Sequence, residues 1–220
     1  MKRRRPQTCT ATLERELNRL GYRLIAGVDE VGRGAWAGPV VAAAVILDLD
    51  RLPEGLDDSK RLSPSRREQL FQAISNTARA IALGIVDARE IDRTNILHAT
   101  KRAMRQAIEG LHPRPDFLLI DAVKLDDVGI PGRALIRGDQ ISVSIAAASI
   151  IAKVTRDRLM RAYDRLYPGY GFAQHVGYGT PAHRDALARL GPCPLHRLSF
   201  RGVRQLPLDV RSHPEKTRPP

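Results

Sequence analysis

Short apolar runs alternate with longer segments of helical periodicity along most of the chain. The strand-like runs lie near residues 23–29, 39–48, 79–86, 116–121 and 133–137. The segments between and after them predict helices near residues 10–20, 64–77, 88–110, 142–166 and 181–190. Strands that alternate with helices in this way are typical of an α/β fold, in which helices pack on a sheet.

Local signals refine this picture. Thr10 and Ser63 precede the first two helical patterns and are predicted to cap them. The first two strands are separated only by a glycine-containing loop that ends at Gly38-Pro39, so they are predicted to form a hairpin-like pair. Residues 144–152 favour a helix but are almost all small or apolar, and we expect this helix to be buried against the sheet.

Changes in amino-acid composition along the chain predict four parts. Residues 1–9 are basic and predicted to be disordered, and residues 10–166 form the main α/β domain. Residues 167–202 are rich in turns and aromatic residues and are interpreted as a small C-terminal lobe. Residues 203–220 contain prolines and mixed charges and are predicted to be a flexible tail.

The overall charge is the second informative feature. The 220 residues carry a formal net charge of +12 with a sequence pI of about 10.5, which indicates a polyanionic partner. Lys2, Arg3, Arg4 and Arg5 supply four of these charges, so +8 remains without them (12 − 4). The basic character therefore belongs to the folded part of the chain as well as to its start.

Two cysteines, Cys9 and Cys193, are too few for a disulfide framework or a zinc cluster. The arginine-rich start lacks the apolar core of an export signal, and the longest apolar run, residues 40–47, is too short to cross a bilayer. We therefore expect a cytoplasmic protein that does not act at a membrane. We also expect it to be a monomer.

Acidic residues follow three apolar runs. Asp29 and Glu30 stand together after the first, and Asp121 and Asp139 follow later ones. A carboxylate at the end of a buried strand needs a cation or hydrogen-bond donors, because burial of unpaired charge is costly. Oxygen-only ligands favour Mg²⁺ or Mn²⁺, and four such groups predict a two-metal site for phosphodiester hydrolysis. The alternative is that they are surface acids or helix caps, which applies most to Asp139 before a helix.

The loop 32–39 follows the first acids at once and could bind phosphate or sugar through backbone amides. Its glycines also resemble a dinucleotide-binding fingerprint, but that fold requires a helix after them and Pro39-Val40-Val41 follows instead. Lys60 could contact a nucleic-acid backbone or be an ordinary solvated charge. Tyr178 lies between glycines and could stack on a sugar or base, or be a core residue.

These residues, taken together, resemble the bacterial ribonuclease HII family. The likeness spans roughly residues 22–202 in the same order. It rests on the segments 28–34, 37–47, 58–60, 95–100, 138–139, 144–157 and 175–180.

The resemblance implies a ribonuclease H-like α/β fold: a mixed sheet flanked by helices, with a small helical C-terminal lobe that binds substrate. It implies endonucleolytic cleavage of RNA in RNA/DNA hybrids and incision 5′ of single ribonucleotides in duplex DNA. The products would carry 3′-hydroxyl and 5′-phosphate ends. Such an enzyme would serve DNA replication and ribonucleotide excision repair.

Residue by residue, the resemblance assigns Asp29, Glu30, Asp121 and Asp139 to the catalytic metal ligands. Gly32, Arg33 and Gly34 match the loop that senses the ribose 2′-hydroxyl. Tyr178 matches the tyrosine that packs on the next deoxyribose, and Lys60 matches a lysine beside the substrate backbone.

The chain departs from the family pattern at three places. Ile141 and Val176 replace common lysines, and Ala35-Trp36 replaces a Pro-Leu-like pair in the glycine loop. The two lysine replacements bear on substrate affinity more than on catalysis, because the four acids are intact.

Two other function classes compete with the nuclease. A non-catalytic, basic nucleic-acid-binding module explains the net charge but leaves the acids without a role, since acid repels phosphate. A nicotinamide-linked oxidoreductase is disfavoured because no helix follows the glycines.

Overall fold

The protein is described by a computed structural model that covers residues 9–125 and 127–204. The predicted basic terminus (residues 1–8 of 1–9) and most of the predicted tail (205–220 of 203–220) lie outside the described residues. A five-stranded mixed sheet has the order β3-β2-β1-β4-β5. Its strands are β1 (Ile25–Val31), β2 (Val40–Ile46), β3 (Ala80–Val86), β4 (Phe117–Asp121) and β5 (Gly132–Leu135).

The predicted mixed sheet is confirmed, and β1 and β2 form the expected antiparallel pair. β2 and β3 are also antiparallel, whereas β1–β4 and β4–β5 are parallel. The helices are α1 (Thr12–Arg19), α2 (Pro64–Thr77), α3 (Ala88–Arg93), α4 (Ile96–Glu109), α5 (Val143–Leu166), α6 (Phe172–His175), α7 (Pro181–Leu190) and α8 (Arg201–Arg204).

Side-chain caps set several helix starts. Ser63, Ser142 and Thr180 each accept a hydrogen bond from a first-turn backbone amide of the helix that follows. The prediction of one helix over residues 88–110 is wrong, because the chain breaks between α3 and α4. Asn95 has an extended backbone and its side chain accepts a hydrogen bond from the His98 amide at 3.0 Å. A short polar side chain that can cap in this way favours a new helix start over helix continuation.

The start of α1 also differs from the prediction. Its N-cap is Ala11, without a side-chain cap, and Thr10 instead forms a bridge to Ser142 before α5. Glu14 in α1 is fully buried and accepts hydrogen bonds from Ser142 Oγ at 2.5 Å and the Ser144 amide at 3.0 Å. The first helix is thereby fastened to the start of the longest one.

The sheet separates two apolar layers. Alternate residues of β2 point to opposite faces, as a strand requires: Ala42 and Ala44 join the layer under α4, and Val41 and Val45 join the layer under α2 and α5. α5 is buried as predicted. A side chain at Gly27 would collide with the Ser144 backbone, so a glycine in β1 lets α5 lie directly on the strand that carries Asp29.

Residues 167–204, here called the C-terminal segment, share an apolar cluster with the end of α5 and the loop after β1. Tyr170, Phe172 and Leu187 pack there with Met160 and Ala37. The division at residue 167 into a separate lobe stays a prediction. Among the described residues, no helix combines the length and apolar character needed to cross a bilayer.

Candidate active site

The first two acids lie inside β1 rather than after it, because the strand continues to Val31. Asp29 is 5% exposed, and its Oδ1 accepts the Glu30 amide at 2.7 Å. Ser149 of α5 donates a hydrogen bond to Asp29 and lies 2.8 Å, oxygen to oxygen, from Ser59. The acid is thus held between the strand and the helix that covers it.

Asp121 is the last residue of β4, as predicted, and lies beside Asp29. Val28 pairs with Ile120 in the parallel β1–β4 register, so the two aspartates follow side by side on adjacent strands. Asp121 Oδ1 accepts the Gly138 amide at 2.6 Å. This bond draws the turn that carries the next acid against the end of β4.

Asp139 does not end a strand, because β5 stops at Leu135 and the acid lies in a 3₁₀ turn over Gly138–Gln140. It is 3% exposed, and Lys60 Nζ lies 3.7 Å from its Oδ2. The interpretation of Asp139 as an ordinary cap of α5 is not supported, because Ser142 caps that helix. The turn therefore brings a fourth acid to the end of the sheet.

Burial and mutual repulsion raise the pKa of all four carboxyl groups, which are called the carboxylate cluster below. Desolvation is the largest cause at each residue. The charges of Glu30 and Asp121 then raise the pKa of Asp29 further. For Asp139, burial followed by the charges of Asp58 and Asp121 raises the pKa to about 6. Groups in this state are stabilised by any cation that reaches them.

The donor set of the carboxylate cluster fits a hard divalent cation. All its ligand atoms are carboxylate oxygens, and Glu30 Oε2 is buried without a hydrogen-bond partner. No three of the described His, Cys, Asp and Glu side chains converge closely enough to enclose a metal ion in their present rotamers. The fit of a divalent cation to the cluster therefore rests on the carboxylate donors and on the unpartnered Glu30 Oε2.

Asp58 is an acid of this region that sequence reasoning missed. It is 5% exposed, and its Oδ2 lies 3.3 Å from Gln140 Nε2, while its charge acts directly on Asp139. No apolar run precedes it, so the signal that marked the other acids was absent. Only its position two residues before Lys60 pointed to the site.

The loop over residues 32–39, called the glycine loop, leaves β1 directly after the acids. Gly32 is buried with φ +92°, and a side chain there would collide with the Arg156 guanidinium. Gly34 is exposed, with nothing within 4 Å of the position a Cβ would occupy. Arg33 between them is exposed and its guanidinium lies 3.2 Å from Glu30 Oε1. The loop thus presents open backbone and one cation beside the acids.

Two buried arginines hold the glycine loop from behind, and sequence reasoning missed both. Arg156 donates to the carbonyls of Pro39, Ala37 and Val176 at 2.9, 3.1 and 2.8 Å. Arg197 donates to the Gly38 carbonyl twice and to the Arg33 carbonyl, at 2.8 to 3.0 Å. Each is fully buried and is satisfied by backbone carbonyls. The sequence offers no signal for this, because all but one of these carbonyls belong to residues 117 to 164 positions away. The exception is Val176, which is 20 positions from Arg156.

Tyr178 is half-buried and tied to the same loop. The Arg156 guanidinium carbon lies 5.5 Å from its ring centroid, and the preceding Gly177 carbonyl accepts the Trp36 amide at 2.8 Å. The interpretation of Tyr178 as a core residue is therefore only half supported, since part of the ring remains accessible. Lys60, by contrast, has an 81% exposed side chain.

Within residues 9–125 and 127–204, three residues other than glycine have a left-handed backbone, and each lies within two residues of a predicted site residue or of the turn that carries one. Ala122 (φ +48°) follows Asp121, Arg137 (φ +57°) precedes the turn with Asp139, and Val176 (φ +44°) lies two residues before Tyr178. Such conformations cost of order 1–3 kcal/mol each and concentrate at functional sites. Their distribution points to the same functional site as the acids do.

Comparison with known proteins gives one consistent family. The family model described as Ribonuclease HII matches residues 26–203. A ribonuclease HII of Geobacter sulfurreducens is 56% identical over 200 residues, which cover 91% of this chain and 92% of that protein. The crystal structure of ribonuclease H2 from Pyrococcus horikoshii superposes with a TM-score of 0.73 at 27% identity, covering 84% of this chain and 97% of that one. The expected ribonuclease H-like fold is confirmed.

Proposed function

Since the chain belongs to the ribonuclease HII family, whose members cleave the RNA of RNA/DNA hybrids, we propose that it also incises duplex DNA 5′ of a single embedded ribonucleotide. It is a metal-dependent ribonuclease. The proposed products carry 3′-hydroxyl and 5′-phosphate ends. The proposed setting is ribonucleotide excision repair and replication in the cytoplasm, with the enzyme acting as a monomer.

One observation carries the proposal: buried carboxylates gather beside a basic, glycine-containing loop. A module that only bound nucleic acid would gain nothing from Asp29 and Asp121 side by side, because their charges repel phosphate. Burial and mutual repulsion raise the pKa of Asp29, so the arrangement is costly without a cation. A hydrolase that uses cations accounts for both the acids and the net charge of +12.

We assign the carboxylate cluster to two divalent cations, Mg²⁺ or Mn²⁺. Asp29 is the central ligand, because it lies between Glu30 in sequence and Asp121 on the adjacent strand. Bound cations would activate water and stabilise the leaving oxygen of the phosphodiester. The side chains of Glu30, Asp121 and Asp139 would complete the oxygen ligands, with the unpartnered Glu30 Oε2 available for this purpose.

Recognition of the ribonucleotide is assigned to the glycine loop and Tyr178. Backbone amides can approach a 2′-hydroxyl closely only where no side chain intervenes, and Gly34 faces open space. An all-DNA strand would leave these polar groups unpaired, which favours a ribose substrate. Tyr178 offers a flat surface on which the next deoxyribose can pack.

Lys60 and Arg33 are assigned to the substrate backbone. The Lys60 side chain is 81% exposed while its Nζ remains 3.7 Å from Asp139, so it can contact phosphate close to the acids. Arg33 is exposed and close to Glu30. Both cations also offset the negative charge of the cluster before substrate arrives.

The decisive experiment measures cleavage of duplex DNA that contains one ribonucleotide, with Mg²⁺ and with a chelator. We expect a single incision 5′ of the ribonucleotide with Mg²⁺ and none with chelator. Cleavage of a long hybrid without incision of this duplex would refute the finer proposal while leaving the family activity intact. Binding of both substrates without cleavage of either would favour the non-catalytic module.

A second experiment tests the electrostatic contribution to substrate affinity. A basic surface implies several phosphate contacts, and each adds nearly one unit to the log–log salt slope. Binding should therefore weaken steeply between low and physiological salt, and deletion of residues 1–9 should weaken it modestly without moving the cleavage position. An affinity that does not change with salt would contradict the assignment of a basic binding surface.

A further inference from the structure

Three buried histidines lie behind Tyr178 without a part in the chemistry described so far. His183 and His196 are 0% and 2% exposed, and His175 is 9% exposed. The Phe172 ring packs against all three, with ring centroids 5.6 to 6.0 Å apart. His183 and His196 are almost completely enclosed, so their protein partners determine which ring nitrogen carries the hydrogen.

The partners of His183 fix its tautomer. Its Nδ1 lies 2.9 Å from the Tyr178 carbonyl oxygen, which can only accept. The Nδ1 atom must therefore carry the hydrogen, and in the neutral ring Nε2 has a lone pair. That Nε2 lies 3.1 Å from Nε2 of His196. His196 must donate across this contact, because two lone pairs cannot face each other at that distance.

The tautomer of His196 then agrees with its own partner. If Nε2 carries its hydrogen, Nδ1 is an acceptor, and the Cys193 amide donates to Nδ1 at 2.9 Å. The Cys193 carbonyl oxygen is farther from the same nitrogen, at 3.3 Å. Hydrogen bonds thus run in one direction, from the Cys193 amide through His196 and His183 to the Tyr178 carbonyl.

We propose that His196 and His183 are positioning residues, a directional hydrogen-bond relay that holds the Tyr178 backbone and so sharpens selection of a single ribonucleotide. The inference rests on the proposed role of Tyr178. Burial lowers the pKa of both histidines to about 4, which keeps the rings neutral and the direction of the relay constant. Without the relay, the Tyr178 amide still donates to the His175 carbonyl and the ring keeps its contact with Arg156. The Tyr178 carbonyl still accepts from the Thr180 amide at 2.8 Å but loses its second hydrogen bond, from the His183 ring.

Position 196 offers a matched pair of variants. The amide nitrogen of His196→Gln can donate to His183 from about the place of Nε2, whereas His196→Leu has similar bulk and no donor. Long-range ¹⁵N–¹H NMR should show the Nδ1–H tautomer of His183 in the wild type and in His196→Gln, and a mixture of tautomers in His196→Leu. A His183 that carries its hydrogen on Nε2 in the wild type would overturn the relay, whatever the variants do.

Kinetics on two substrates then test the functional consequence. His196→Leu should raise KM about tenfold for duplex DNA with one ribonucleotide and leave a long RNA/DNA hybrid within about twofold, because only the former presents a deoxyribose to Tyr178. His196→Gln should restore the wild-type ratio. Equal losses on both substrates, or no difference between the two variants, would indicate a merely structural role and overturn the proposal.

Tyr178→Ala separates this inference from the function on which it rests. If Tyr178→Ala lowers the preference for the single-ribonucleotide substrate and His196→Leu does not, the relay fails alone. If Tyr178→Ala does not alter that preference, the proposed role of the tyrosine fails, and the relay fails with it.

Discussion

The carboxylate cluster and the region behind the glycine loop both bury polar groups, but they differ in how those groups are paired. Behind the glycine loop, Arg156, Arg197 and His183 find backbone partners at 2.8 to 3.1 Å. In the carboxylate cluster, Arg33, Lys60 and two backbone amides contact the acids. Burial and neighbouring charges nevertheless raise the pKa of all four carboxyl groups, and Glu30 Oε2 has no hydrogen-bond partner. Buried polar groups are ordinarily satisfied, so an unpartnered oxygen among acids that repel one another is where binding of an external cation is expected.

The largest expected effect is a loss of activity on substitution of an acid in the carboxylate cluster. Asp29→Asn keeps the shape of the side chain but removes its charge, so activity should fall more than about a thousandfold. The thermal midpoint should stay the same or rise, because repulsion from Glu30 and Asp121 is relieved. Turnover and thermal unfolding are measured together, with exposed Asp185→Asn as the control. Near wild-type turnover of this variant at saturating Mg²⁺ would refute the assignment of Asp29 as a metal ligand.

The opposite response is expected from the buried arginines. Arg197→Met removes both of its donors to the buried Gly38 carbonyl and its one donor to the Arg33 carbonyl. The free energy of unfolding should fall by about 2–4 kcal/mol, measured by denaturant titration. Exposed Arg165→Met should change it by less than about 0.5 kcal/mol. Equal effects of the two variants would show that the carbonyl contacts contribute little.

The sequence predicts part of the fold and part of the candidate site. Apolar runs and caps located the strands, α2, α5 and α7, because those signals are local. The helix break at Asn95 and the turn at Asp139 were not predicted. The Asn95 side chain caps a new helix, and the left-handed backbone of Arg137 precedes the turn. The roles of Arg156 and Arg197 could not be predicted, because they exist only once distant segments meet, and Asp58 was marked only by its place beside Lys60. The role of the four acids as metal ligands stays a prediction, which their burial and mutual repulsion support.

Acid should act on the two regions in opposite directions. The pKa of His183 and His196 falls from 6.5 to about 4 on folding, so the stability they support is complete above pH 6.5 and is lost as pH falls toward 4. The pKa of Asp139 rises from 3.8 to about 6, so its protonation stabilises the fold as pH falls from 6 to 3.8.

Urea titrations between pH 7.5 and 4.5 would separate these contributions. Relative to the wild type, Asp139→Asn should lose stability more steeply on acidification, and the double variant His183→Asn/His196→Gln less steeply, by up to about two protons of slope. Parallel curves for all three proteins would contradict both assignments.

The smallest expected effect concerns the two family lysines that this chain lacks. Ile141→Lys and Val176→Lys each add a cation near the site, so hybrid affinity should rise about two- to fivefold at low salt, with the salt slope steeper by nearly one unit. Leu20→Lys adds the same charge in the connection that enters β1 at the end away from Asp29. If all three variants bind alike, only net charge matters.

The contact between Glu14 and the start of α5 has a consequence for synthesis on the ribosome. Glu14 emerges before its partners Ser142 and Ser144, which follow 128 and 130 residues later. At about 5–20 residues per second, the carboxylate waits roughly 6 to 26 s in water before it can be buried. The nascent chain thus closes its first helix only as the turn with Asp139 leaves the exit tunnel. The last acid and the first helix are therefore completed in one late event.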